Sequence, residues 1–446
     1  MTGPVNDRRE IFGWVMYDWA NSAFQTTVVT VLLGPYLTAL AQEAVGDNGT
    51  VASLGPLGVV TAKSLFPYCV SLSVFLQVFL LPVLGAIADY TSLKKRLMAT
   101  LCYAGVAATC LLSLVAGQSY LTVGALFVAA NLCFGASNVL YNAFLNDITT
   151  ADRRDQVSSR GYALGYLGGG VLLALNLALV LNAGAFGLSR DQAVRVSLLS
   201  AGLWWGGFGA LTFARLRARP APLGAPPGRS AVAAGLGQVA ATIRELRRLP
   251  QTFRFLMAYM LYNDGIQTVI STASVFLAQE LFVARGLPAD QSFLIGLVLM
   301  IQFIAFFGAL LFERIARIVQ TKNAILISLV LWTGVIVYSY RFLETTRQAW
   351  VMGGVIAIVL GGSQALSRSL FSLMIPAGRE ASFFGLYEIS ERGTSWIGPL
   401  IFGMVAGATN SYRQAILSLV VLLLGGMLLL AFTGTDRAVA AARATS

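Results

Sequence analysis

Apolar runs of roughly 20 residues or more recur along almost the whole chain, each long enough to cross a ~30 Å hydrocarbon core as a helix. Within lipid every backbone N–H and C=O must be satisfied by its own segment or by a closed barrel. The alternating ten-residue strands of a barrel are absent, so the spans are helical. With 57% hydrophobic and only 11% charged residues in 446, the chain has too few charges to coat a soluble globule of its size. The first run, from Ile11, lacks a small-residue cleavage site and reads as a retained span. The expected fold class is an all-α, multi-pass membrane protein.

Six spans are expected in the first part, at Ile11–Ala41, Ser64–Ala88, Leu97–Ala116, Leu121–Asn146, Ser158–Leu181 and Ala193–Ala214. A composition break follows. Pro220, Pro222, Pro226 and Pro227 mark a linker, and Ala231–Arg248 reads as an amphipathic surface helix. Six more spans lie at Gln251–Phe282, Gln291–Phe312, Asn323–Tyr340, Gln348–Met374, Phe383–Gly407 and Tyr412–Phe432. The chain therefore divides into a six-helix bundle (1–214), a linker (215–250) and a second six-helix bundle (251–446). Alternating the loops puts most Lys and Arg on the side of both termini and the linker, which predicts a cytoplasmic location for them. The net charge of +11 follows from that placement and needs no nucleic-acid partner. Cys69, Cys102, Cys110 and Cys133 sit in apolar spans and are expected to be reduced. There is no histidine, so any coupling proton must ride on a carboxylate.

A carboxylate in the first span, Asp18 in Tyr17-Asp18-Trp19-Ala20-Asn21-Ser22, costs about 3 kcal/mol in lipid and needs a partner or a wet cavity. Asp18, Asn21 and Gln25 recur at spacings of three and four, so one helix face presents all three. Other candidates are Asn138, Tyr141 and Asn142 in span 4, then Tyr262, Asn263, Asp264 and Gln267 in span 7. Gln364 and Arg368 in span 10 and Glu388 in span 11 complete the set. Such stripes suit a ligand with charge and hydrogen-bonding groups, such as an amino-acid zwitterion. The rival reading is interhelical glue, at about 0.6 kcal/mol per bond. It is preferred for isolated Asn and Ser, and less so for Asp18, Asp264 and Arg368. Glu388 and Arg392, four apart, could form an intrahelical pair.

A shift of 225 residues lays Arg154-Asp155 and Tyr162 over Arg379-Glu380 and Tyr387, and Tyr17-Asp18 corresponds to Tyr262-Asn263-Asp264. Repeated six-helix halves resemble the major facilitator superfamily, whose halves rock about a midplane site. Gly85, Asp89, Lys94, Lys95 and Arg96 resemble that superfamily's signature between spans 2 and 3. The resemblance implies a gate in which Asp89 meets a helix end or an arginine of the other half, with Arg154 and Arg379 near it. Gly308 to Lys322 is a loose echo, with Phe312 at the acid's position and Glu313 one later. Tyr17–Phe24, Tyr262–Gly265, Gly361–Ser369 and Phe384–Pro399 closely resemble the vacuole-effluxer-like family of that superfamily, over nearly the whole chain. Its fungal members are implicated in releasing amino acids from the vacuole. Glu391 departs from the family pattern, which has a small residue there.

The resulting expectation is a proton-coupled secondary transporter of a small polar solute, monomeric, lipid-embedded in a bacterial cytoplasmic membrane. Asp18 and Asp264 would face one cavity and take an ammonium group or a proton. Arg368 would take a carboxylate, and Glu388 would be a second protonation site. There is no phosphate loop or metal motif, so neither a cofactor nor a nucleotide is expected, and no enzymatic activity. The rivals are an exporter of amphipathic drugs or lipids and a non-transporting receptor or scaffold.

Overall fold

A computed structural model describes residues 5–46, 49–53, 59–115, 119–220, 242, 244–288, 290–392 and 397–444. Helix α1 (Arg8–Val45) is followed by a small antiparallel hairpin, β1 (Thr50–Ser53) and β2 (Val59–Thr61), and by α2 (Leu65–Tyr90). Next come α3 (Lys94–Leu112), α4 (Tyr120–Ile148), α5 (Arg154–Leu181) and α6 (Arg190–Arg215). After the linker run α7 (Pro250–Leu281), α8 (Gln291–Val319), α9 (Thr321–Arg341) and α10 (Thr346–Leu373). The eleventh span is described in two pieces, α11a (Glu380–Arg392) and α11b (Ile397–Thr409). Helix α12 (Tyr412–Ala431) and a short terminal helix, α13 (Thr435–Ala444), close the chain. Among the described residues, eleven helices are long and apolar enough to cross a membrane, and α11b is a shorter apolar helix.

Local chemistry sets several of these ends. Ser189 with Gln192 and Thr345 with Gln348 form capping boxes that start α6 and α10, and Asp290 caps α8 through the Phe293 amide. In the middle of α1, Phe24–Leu32 widens to a π-helix. There the hydroxyls of Thr26 and Thr30 bond to the carbonyls of Ser22 and Gln25, offering the backbone an alternative to regular pairing. The hairpin and α13 were not expected from composition. Most of the anticipated amphipathic helix and residues 393–396 lie outside the described residues; of that helix, 244–248 are helical.

α1 packs on α5 and α6, and α8 packs on α10. The first six helices meet the last six chiefly where α5 lies against α8 and α10, and where α2 and α4 lie against α11a. Gly85 makes the second of these contacts close, because a Cβ there would overlap the carbonyl group of Ala381. The two chain ends share one face: the Asn6 amide bonds to Ile148 O, while Gln251 Oε1 accepts from the Gly434 amide and Lys322 Nζ donates to the carbonyls of Ala431 and Thr433. This is called the terminal face below, and the opposite one the far face. The four cysteines form no disulfide.

Candidate functional site

Arg368 of α10, 2% exposed, joins that helix to three others. Its Nη2 donates to Asp18 Oδ2 on α1 at 3.1 Å and to the Ser158 carbonyl on α5 at 2.9 Å. Nε donates to Ser158 Oγ at 2.9 Å, and Nη1 to Asn142 Oδ1 on α4 at 3.3 Å. The guanidinium also lies over the rings of Tyr162, Trp14 and Tyr141, at 4.2, 4.8 and 5.6 Å from their centroids. A rigid planar fork with five donors can make this many directional contacts at once, which a lysine cannot. Tyr141 Oη donates to the same Asp18 oxygen at 2.7 Å, and Asn142 Nδ2 donates to Glu388 Oε1 on α11a at 2.8 Å. A continuous chain of polar contacts therefore crosses from α1 through α4 and α10 to α11a. Gly161 leaves room for it, since a Cβ there would overlap Asp18 Oδ2 and crowd the guanidinium.

A cavity of about 1400 Å3 stands above this floor. Its lining runs from Asp18 and Arg368 along α1 to Glu43, and reaches the exposed Arg190 and Asp191 at the start of α6, so it extends to the far face. Of the residues singled out from sequence, Asp18, Asn21, Gln25, Asn138, Tyr141, Asn142, Gln267, Gln364, Arg368 and Glu388 line it. Asn21 Nδ2 donates to Asn138 Oδ1 at 2.8 Å, and Gln364 Oε1 accepts from Tyr166 Oη at 2.7 Å.

Four residues are placed elsewhere. Tyr17 is fully buried against Tyr141 and Phe213, and Tyr262 Oη bonds to Ser367 Oγ at 2.6 Å. Asn263 Nδ2 donates to the Glu391 carbonyl. Asp264 does not share the cavity with Asp18: 1% exposed, its Oδ2 accepts from the Gly398 amide at 2.9 Å, at the start of α11b. The reason is depth along α7 rather than helical phase. Asp264 lies on the same face as Gln267 and Ser271, three and seven residues on, but at its level along α7 that face is covered by Gly398 of α11b. The aspartate there accepts from a buried backbone amide of the neighbouring helix. Asp264→Ala is expected to lower stability by about 1.5–3 kcal/mol, the usual worth of a hydrogen bond to a charged group. Ligand-induced stabilisation should persist, and thermal unfolding with and without ligand measures both.

Arg368, expected to await a carboxylate, is held by Asp18 instead, because the two meet across the floor. Glu388 accepts from Asn142; the Arg392 side chain, its anticipated partner, lies outside the described residues.

At the terminal face the two sets of helices touch. Asp89 Oδ1 accepts from the Ala381 amide at 3.0 Å, and Oδ2 from the Ser382 amide and hydroxyl at 2.8 and 2.5 Å. A carboxylate of α2 thus caps α11a, where the helix dipole favours it. Lys94 Nζ pairs with Asp147 Oδ2 at 3.0 Å, whereas Lys95 is half-buried and Arg96 exposed. Arg154 Nη1 and Asn146 Nδ2 both donate to the Ser372 carbonyl, and Arg379 Nε lies 3.6 Å from Glu245 in the linker. In the later half, Glu313 pairs with Arg317 one turn along its own helix rather than crossing. The crossing contact there is Thr321 Oγ1 to Asp155 Oδ2, 2.6 Å.

Ser158, Gly161, Tyr162, Tyr166 and Trp14 were not singled out as site residues. The recurrence of Ser158, Tyr162 and Tyr166 every four residues on α5 was a signal available in the sequence. Glu391, noted only as a departure, lines the cavity.

A family model described as "Vacuole effluxer Atg22 like" matches residues 6–443. The uncharacterized MFS-type transporter YxiO of Bacillus subtilis (strain 168) is 32% identical over 430 residues, covering 95% of each chain. Autophagy-related protein 22-1 of Aspergillus niger is 25% identical over 561 residues, covering 98% of this chain and 90% of that protein. Among solved structures, the human organic anion transporter MFSD10 (TETRAN) superposes with a TM-score of 0.69 at 14% identity, over 95% of this chain and 99% of that one. The transporter FucP in its outward conformation gives 0.69 at 10% identity, over 96% and 98%. These two likenesses are of fold.

Proposed function

The chain belongs to the vacuole-effluxer-like family of the major facilitator superfamily, and from that premise we propose that this membrane transporter moves a small amine-bearing solute of the amino-acid class by alternating access, coupled to protons. The carrying observation is the pairing of a cavity that reaches the far face with a terminal face closed by Asp89 on α11a and Arg154 on Ser372. Closure on one side and access on the other is the geometry one half-cycle of alternating access requires. We take the terminal face as cytoplasmic because the basic loops gather there. The described state is then open away from the cytoplasm, in a protein acting as a monomer.

The division into two six-helix bundles joined by the linker supplies the moving bodies in this reading. Asp18 holds the solute's ammonium group. Glu388, buried on the cavity wall and bonded to Asn142, carries the proton. Gly85, Asp89, Lys94 and Arg154 hold the cytoplasmic side shut until the solute or proton redistributes the Asp18–Arg368–Asn142–Glu388 contacts.

The test is counterflow in proteoliposomes. Labelled amino acid should enter against unlabelled internal amino acid, and an imposed proton gradient should drive net accumulation. Glu388→Gln should keep exchange while losing the response to the gradient. If this variant kept the wild-type pH profile, the proton would have to ride elsewhere; if no amino acid exchanged, the solute class would fall.

A further inference from the structure

We propose that the cavity selects its solute by a primary ammonium group alone, so that amphipathic amines lacking an α-carboxylate bind as well as the matching amino acids. This deepens the transport reading above and rests on it. A zwitterion needs both a fixed anion and a cation with free donors. The floor supplies only the first. Arg368 makes four hydrogen bonds to Asp18, Ser158 and Asn142, out of five N–H groups, and the faces of its guanidinium are covered by aromatic rings. At 2% exposure it has little surface left for a solute carboxylate.

Asp18 is the opposite case. Its Oδ2 takes both Tyr141 and Arg368, while Oδ1 bonds to no described residue, and the side chain keeps 12% of its surface exposed. One turn along the same face, Asn21 donates through Nδ2 and leaves its carbonyl oxygen as an acceptor. An ammonium group carries three donors and no acceptor, so it matches such a surface. A carboxylate brought to the same floor would meet the Asp18 carboxylate, with Arg368 already engaged. Like charges repel more strongly in a low-dielectric site than in water. Above the floor, Val29, Val74, Phe134, Ile270, Ile301 and Leu360 stand among polar residues such as Gln25, Ser271 and Gln302 and offer apolar surface to a hydrocarbon body on the amine.

The experiment uses the purified full chain and two matched series in titration calorimetry. One is leucine, leucinamide, isopentylamine and 4-methylpentanoate; the other is phenylalanine, phenethylamine and 3-phenylpropanoate. The amines and the amide should bind within about threefold of the amino acids and compete with them, while the carboxylic acids should bind at least about thirtyfold more weakly. If an amino acid binds and its amine is weaker by about thirtyfold or more, Arg368 is capturing the carboxylate. The inference is then wrong, and the transport reading stands. If neither series binds, ammonium recognition and the amino-acid-class reading fall together.

Discussion

Arg368→Ala is expected to abolish transport and to lower stability by about 3–5 kcal/mol, the usual loss when one member of a buried ion pair is removed. The size follows from what remains. Asp18, 8% exposed, would keep Tyr141 but lose its cation, and Ser158 and Asn142 would lose their donors. A void would also open between Trp14 and Tyr162. Arg368→Lys should recover part of the stability but little transport, because an ammonium cannot reach Ser158, Asn142 and Asp18 together. The double variant Asp18→Asn with Arg368→Met separates the two roles. With no unpaired charge buried, it should unfold closer to the wild-type temperature and still fail to transport. Denaturation of the three proteins, set beside counterflow, checks this. Recovery of transport in the double variant would show that the pair only holds the bundle together.

Gly85→Leu is expected to reduce transport at least tenfold, by preventing closure of the terminal face, a loss that corresponds to about 1.4 kcal/mol or more. A Cβ at position 85 overlaps the Ala381 carbonyl, so α2 and α11a must separate, and Asp89 then loses the Ala381 and Ser382 amides. Together with those of Arg154 and Asn146 on Ser372 and of Thr321 on Asp155, these contacts hold the open-to-far-face state. Losing them shifts the balance between conformations, because a population responds exponentially to the difference in free energy. A reporter cysteine at Val74, which lines the cavity, should become less reactive to a membrane-impermeant reagent added at the far face when the native cysteines are replaced. Asp89→Ala should move the reporter the same way by a smaller step, since it removes the cap but leaves the helices free to touch. Unchanged labelling in Gly85→Leu would mean that this contact does not govern which side is open.

Together the two variants separate adjacent layers of one device. Arg368 and Asp18 form the cavity floor, where contacts from α1, α4, α5 and α10 converge in a buried polar network. Asp89 and Arg154 form the terminal-face closure beneath it. A solute that changes the contacts of the floor can therefore bias the closure, provided its interaction differs between the two states.

Most of the membrane architecture was legible in the chain alone, because lipid imposes a strong and local requirement. A backbone that can bond only to itself needs a long apolar helix, and such runs can be read without any partner. The contact of Gly85 and Asp89 with the other half was legible for a related reason: the two are four apart on one helix end, so their spacing survives any packing. Asp18 and Arg368 stood out because isolated charges in apolar runs are costly. Their meeting did not, since they lie on different helices 350 residues apart and nothing local dictates the angle between α1 and α10. The same limit explains Asp264. Its sequence context mirrors that of Asp18 and it shares a helix face with the cavity-lining Gln267 and Ser271, yet α11b packs over α7 at its level and the Gly398 amide takes its carboxylate. Residue types and spacings thus specified which groups must be paired, while the choice of partner followed from the crossing of helices in three dimensions, where each buried charge takes the nearest group that offsets its loss of water.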